Sequence, residues 1–207
     1  MSEAPGRDAP RWVFPAVLGS VILLLGLVPL LVNAFAPHPV GEVYLEPRQI
    51  EDFELQMAEG GTFRLSDYRG KTLVFYFGYT TCPDVCPTTL YDFKRAKAEL
   101  GEWEDEVQFV FVTVDPAVDT AEQIDQYLAH FDEDFIGLYG TEEELKRVAD
   151  QFGVKVVSAD KTAGYGITHT TSSYIVDANG LLKIRMHYGQ KIDRIANDIR
   201  LVAKGRI

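Results

Sequence analysis

Apolar and polar positions divide the chain into an N-terminal apolar block and a longer region of short, regularly spaced elements. Residues 12–32 form an almost unbroken apolar stretch with no charged side chain, close to the roughly 20 residues a helix needs to cross a bilayer. Residues 52–64 alternate in character around Glu59-Gly60-Gly61, which predicts a hairpin leading into an apolar strand at 73–77. Leu90, Phe93, Ala96 and Leu100 then recur at the spacing of an amphipathic helix packed on a sheet. Residues 107–114 are apolar enough for a strand covered on both faces, and Asp115-Pro116 ends it. Helices are predicted over 124–131 and 142–152, separated by a short segment at 135–139. Residues 170–176, the turn Asp177-Ala178-Asn179-Gly180 and residues 181–187 read as a hairpin, and 192–202 as a closing helix.

That order assembles an α/β fold, a mixed sheet flanked by helices on both faces. It is the thioredoxin-like arrangement, in which functional groups gather at the carboxyl ends of the strands. The expected organisation is a cytoplasmic N-terminus at 1–11, a transmembrane anchor at 12–36, a Pro- and Gly-containing tether at 37–47 and a globular domain at 48–207. Arg7 and Arg11 precede the apolar block and the next basic residue is Arg48, so the positive-inside rule turns the domain outward. A cleaved signal peptide is the alternative, since Ala34-Phe35-Ala36 has the small-residue pattern, although signal h-regions run only about 7–15 residues. Glu3 and Asp8 do not suit the acid-poor transit peptides, so the expected location is a bacterial inner membrane with the domain facing the periplasm. The formal net charge of -11 falls on this outward domain and argues against nucleic acid or an anionic lipid surface as partner.

Cys82 and Cys86 are the only cysteines, set in Thr81-Cys82-Pro83-Asp84-Val85-Cys86-Pro87 directly after the first buried strand. A bridge closing so short a loop constrains the unfolded chain little, so redox or metal chemistry explains the pair better than stabilisation. With Pro87 opening the helix, Cys86 is expected at its N-cap, where the helix dipole lowers a thiol pKa. Three intervening residues exceed the two of a thioredoxin redox site. In a trigonal metal site two thiolates stand roughly 4 Å apart, which a wider loop suits without forbidding a disulfide. Soft thiolates select Cu(I), with zinc as competitor, and a third donor is required. Of the four histidines, His38 lies in the tether, His130 near a helix end and His187 at the far end of the hairpin. His169, just before a core strand, is the preferred third ligand, against its reading as an ordinary hydrogen-bonded histidine. Asp84, Asp115 and Asp119 either shape the site or simply form turns and caps beside prolines. A peroxidase reading of Cys86-Pro87-Thr88 lacks the threonine expected three residues before the cysteine, where Pro83 stands.

From about Phe53 to the C-terminus the chain resembles the SCO/SenC proteins (synthesis of cytochrome c oxidase). The resemblance is carried by Phe75-Tyr76-Phe77-Gly78-Tyr79-Thr80, Cys82-Pro83-Asp84-Val85-Cys86-Pro87, Val114-Asp115-Pro116 with Asp119-Thr120, Gly137-Leu138-Tyr139-Gly140-Thr141, His169 and Tyr188-Gly189-Gln190. It implies one copper ion, Cu(I) or Cu(II), held by Cys82, Cys86 and His169. It also implies a partner, the CuA domain of cytochrome c oxidase subunit II, to which the protein delivers copper or whose cysteines it reduces as a thiol-disulfide oxidoreductase. Other copper chaperones are further candidate partners. Two departures stand out: Thr168 occupies the place where many relatives carry Asp before the histidine, and residues 156–166 are short with no cluster of acids.

Overall fold

The computed structural model describes residues 25–28, 38–157 and 168–207. The chain divides into a segment up to His38 and a domain at Pro39–Ile207. Within the first segment Leu25 to Val28 is helical; the rest of the expected anchor at 12–36 lies outside the described residues. Among the described residues no helix is long and apolar enough to cross a membrane.

The domain is built on an eight-stranded mixed sheet. Its strands are β1 (Glu42–Gln49), β2 (Glu54–Met57), β3 (Thr62–Arg64), β4 (Thr72–Gly78), β5 (Val107–Thr113), β6 (Ile136–Tyr139), β9 (Ser173–Val176) and β10 (Leu181–Met186), in the order β1-β10-β9-β4-β5-β6-β2-β3. The remaining two, β7 (Val156–Val157) and β8 (Thr168–His169), form a separate small antiparallel pair. The helices are α1 (Val85–Glu99), α2 (Ala121–Ala129), α3 (Glu142–Phe152) and α4 (Ile192–Ala203).

Strands β4, β5 and β6 run parallel, while β9 pairs antiparallel with β4. Both crossovers from β4 to β5 and from β5 to β6 proceed in one direction along the sheet, so α1 and α2 fall on the same face. The chain then passes over the opposite face through α3 to reach the other side of β4. Alternation within the buried strands matches this division. Val74, Tyr76, Phe109 and Phe111 pack with Leu90, Phe93, Ile124, Leu128, Ile195 and Ile199. Leu73, Phe75, Phe77, Val110 and Val112 pack with Leu145, Val148 and Phe152. Every residue of β4 is buried, as a central strand covered on both sides requires. Thr120 and Thr141 open α2 and α3 with capping boxes closed by Gln123 and Glu144.

The expected tether is corrected in part. Residues 42–47 of it are not a free linker but part of the edge strand β1, paired with β10. Ahead of it, the buried Asp198 carboxylate on α4 accepts hydrogen bonds from Val40 N at 2.9 Å and Gly41 N at 2.7 Å. A Cβ on Gly41 would approach Ile184 Cγ2 to 2.5 Å, so glycine alone fits the close passage. Local composition suggested a linker because its polar residues face solvent on a sheet edge.

Candidate metal centre

The parallel strands bring the site together at their carboxyl ends. The last residue of β4, Gly78, runs into the turn Tyr79–Cys82, in which Cys82 N donates to Tyr79 O, and the chain then enters α1. A Cβ on Gly78 would lie 2.9 Å from both Phe111 Cε2 and Tyr76 Cε1 and 3.1 Å from Cys86 Sγ, so the missing side chain is the space the Cys86 sulfur packs against.

Asp119, 3 % exposed, holds this loop in place. Its carboxylate accepts from Thr80 N at 3.1 and 3.2 Å, from Thr80 Oγ1 at 2.6 Å and from Thr113 Oγ1 at 2.6 Å, which ties the β4 exit to the β5 exit. Asp115 contributes through its backbone carbonyl, which accepts from the N–H groups of Val118 and Asp119. Asp84 occupies the N-cap position of α1, but its side chain makes no capping bond.

Both cysteines are free thiols, Cys82 half-buried and Cys86 buried. The helix begins at Val85, two residues earlier than Pro87 suggested, so Cys86 lies inside the first turn and faces the core rather than standing at the N-cap. The expected acidification of its thiol is therefore reversed. Burial pushes the Cys86 thiol up to about 12, against the opposing pull of the Tyr76 hydroxyl and the Tyr79 backbone. The acidified thiol is Cys82 instead. Its partial burial works upward, but hydrogen bonds from the Asp84 and Cys86 backbone, with the Cys86 and Tyr79 side chains, outweigh it and hold the thiol below its ordinary value.

His169 reaches this pair from β8. Its Nε2 lies 3.9 Å from Cys86 Sγ, and its Nδ1 lies 3.0 Å from the Thr170 carbonyl oxygen. Since a carbonyl only accepts, Nδ1 carries the proton and Nε2 presents its lone pair to the sulfur. Burial lowers the imidazole pKa, with the Thr170 bond opposing, so the ring is neutral as a metal ligand must be. The Tyr79 and Tyr76 rings meet it edge-on, at 5.7 and 6.4 Å between centroids. A metal bonded to sulfur at about 2.3 Å and to nitrogen at about 2.0 Å in a trigonal plane separates the two donors by about 3.7 Å. The observed 3.9 Å is close to that span.

Among the described residues no three His, Cys, Asp or Glu side chains are already gathered into a metal cage. The structure joins Cys86 to His169 directly and leaves completion of a three-donor set to Cys82, whose thiol interacts with that of Cys86. Two other described histidines stand apart: His130 Nδ1 is 2.6 Å from the Gln126 carbonyl oxygen at the end of α2, and His187, just after β10, faces Glu42 of the edge strand β1. Sequence reasoning did not single out Tyr76, whose hydroxyl donates to Cys86 Sγ at 3.4 Å. The available signal was a tyrosine in an otherwise apolar central strand, since a buried phenol needs a polar partner.

Fold and site together define a thioredoxin-like domain with a dithiol and a neutral imidazole at the carboxyl end of its central parallel strand. The SCO1/SenC family description matches residues 43–204, and the chain belongs to the SCO1/SenC family. It is 34% identical over 169 residues to a SCO2-like protein of Rickettsia felis, covering 78% of this chain and 82% of the relative. The structure of Bradyrhizobium japonicum ScoI with copper bound superposes with a TM-score of 0.68 at 29% identity, over 75% of this chain and 99% of that one. BsSco, described with a disulfide switch as a member of the Sco family of cytochrome c oxidase assembly proteins, matches with a TM-score of 0.63 over 82% of this chain and 98% of its own. At 20% identity BsSco supports the fold alone.

Proposed function

We propose that this protein is a copper metallochaperone for cytochrome c oxidase assembly, taking one copper ion through Cys82, Cys86 and His169 and passing it to the CuA centre of subunit II. The observation that carries the reading is the Nε2 lone pair of a neutral, tautomer-locked imidazole facing a buried cysteine sulfur at 3.9 Å. Two thiolates and one imidazole form a borderline-soft set suited to copper in either oxidation state. Copper bound in the related ScoI supports the choice of metal. Capture costs the Cys82 and Cys86 protons, and the sulfur that ionises readily lies on the loop, where an incoming ion or partner meets it first. The expected anchor at 12–36 would hold the domain on the periplasmic face, as the placement of Arg7 and Arg11 supports. Titrating the reduced full-length chain with Cu(I) tests the reading. One ion per chain is expected, with much weaker binding in His169→Ala and loss of tight binding in Cys82→Ser or Cys86→Ser. A stoichiometry well below one, or an affinity indifferent to His169, defeats it.

A second reading, thiol-disulfide oxidoreductase, is favoured by the unequal thiols. The Cys82 thiolate would attack a partner disulfide, forming a mixed disulfide and releasing one partner thiolate. Cys86, giving up its proton, would then attack the Cys82 sulfur, closing the Cys82–Cys86 bridge and releasing the second. Two electrons thereby pass to the partner. Exchange with an oxidised CuA domain no faster than that of an unfolded dithiol disposes of this reading.

A further inference from the structure

We propose that Tyr76 is a positioning residue of the dithiol site, its hydroxyl holding the Cys86 sulfur in the reduced form and favouring Cu(I) over Cu(II) on it. The inference rests on the copper reading for its second half only. Tyr76 is 0 % exposed in the middle of β4, and its hydroxyl donates to Cys86 Sγ at 3.4 Å. The ring is wedged among Phe93, Phe111 and His169, at centroid distances of 6.2, 6.4 and 6.4 Å, and its Cε1 fills the space left by Gly78. It cannot swing away. The other polar group beside the hydroxyl is the Thr89 side chain, whose own proton goes to the Val85 carbonyl at 2.8 Å.

Two consequences follow from one hydrogen bond. Forming a Cys82–Cys86 bridge draws the Cys86 sulfur toward Cys82 and replaces a thiol acceptor by a weaker disulfide acceptor, so the bond opposes oxidation. A donor to a ligating sulfur also withdraws electron density from the sulfur–copper bond. Hydrogen bonding around a cysteine sulfur tunes a copper site in this way, and loss of donation disfavours the more electron-demanding Cu(II). The two sulfurs are thus unequal in partners as well as exposure, since Cys82 takes its bonds from the Asp84 and Cys86 backbone and from Tyr79.

The test uses the full-length chain in detergent micelles and the variants Tyr76→Phe and Tyr127→Phe. Tyr127 controls for loss of a buried hydroxyl, since its oxygen has no hydrogen-bond partner among the described residues. Copper-free protein is equilibrated with oxidised and reduced glutathione, in which two electrons and two protons leave Cys82 and Cys86 as one S–S bond forms and that of glutathione breaks. Copper-loaded protein is read by Cu(I) and Cu(II) competition with chelators and by the thiolate-to-Cu(II) charge-transfer band. In Tyr76→Phe the glutathione equilibrium should move about threefold toward the protein disulfide, the ratio of Cu(I) to Cu(II) affinity should fall about fivefold with stoichiometry kept, and the band should move to lower energy. Tyr127→Phe should shift none of these. An unmoved glutathione equilibrium and band in Tyr76→Phe, or equal shifts in both variants, overturn the assignment. If the parent takes up no copper, the chaperone reading fails by itself. The glutathione arm then decides alone, a shift confined to Tyr76→Phe supporting the Tyr76 assignment and no shift overturning it.

Discussion

Replacing Asp119 with alanine strips the carboxylate that joins the β4 and β5 exits and leaves three donors, the half-buried Thr80 N–H and O–H and the buried Thr113 O–H, without that acceptor. A hydrogen bond to a charged group contributes about 1.5–3 kcal/mol, but these three share one carboxylate, and its removal also relieves the desolvation of a buried charge. A net loss of about 3–4 kcal/mol is therefore expected. With a urea m-value of about 2 kcal/mol/M, the unfolding midpoint of the copper-free protein should fall by roughly 1.5–2 M. Asp119→Asn keeps the shape and one acceptor oxygen, while its amide must face Thr113 Oγ1, which already accepts from Asp115 N at 3.0 Å, so about half that loss is expected. Because Thr80 stands two residues before Cys82, Cu(I) affinity should weaken in both variants, more in the alanine. Equilibrium urea unfolding followed by far-UV circular dichroism reads the stability. An alanine midpoint within about 0.5 M of the parent refutes the reasoning, because three donors that lose a shared carboxylate should cost more than that.

Alkylation at pH 8 with a small iodoacetamide reagent should label Cys82 quickly and leave Cys86 almost untouched, as peptide mass spectrometry will read; equal labelling would contradict the unequal thiols. Gly78→Ala forces a methyl against Tyr76, Phe111 and the Cys86 sulfur, an overpacking cost of about 1–3 kcal/mol. Its melting temperature should drop by roughly 2–10 °C, and an unchanged value would show that the site relaxes freely. The depressed His169 pKa means that the unfolded chain binds a proton that the folded chain refuses. Its stabilising contribution is present above the unfolded pKa of about 6.5 and is lost as pH falls through that value toward the folded one. Unfolding free energy should thus decline between pH 7.5 and 5.5 more steeply in the parent than in His169→Gln, and parallel slopes would rule the effect out.

Much of the domain was legible from periodicity. The apolar runs in β4 and β5 and the spacing of Leu90, Phe93 and Ala96 marked a sheet with a helix packed on it, because burial on two faces or one leaves different repeats. The helix predicted at 142–152 matches α3 residue for residue, since Thr141 and Glu144 close a capping box and Gly153 ends the helix in the left-handed region at φ 71°. Strand β1 was not legible, because an edge strand buries so little that its composition resembles a linker. The pairing of Cys86 with His169 could be named as a candidate but not placed, since the two residues stand 83 positions apart.

Amino-acid order by itself determined which donors exist, two thiols four residues apart and a histidine before a strand, and the local turns that carry them. Only the tertiary structure decided which thiol ionises. Pro87 pointed to a helix-end thiolate at Cys86, but the first turn of α1 faces the sheet, and packing against Gly78, Tyr76 and Phe111 takes that sulfur out of water. Desolvation exceeds the pull of the helix dipole and reverses the roles of the two cysteines, because the cost of burying a charge depends on neighbours that the order of residues does not reveal.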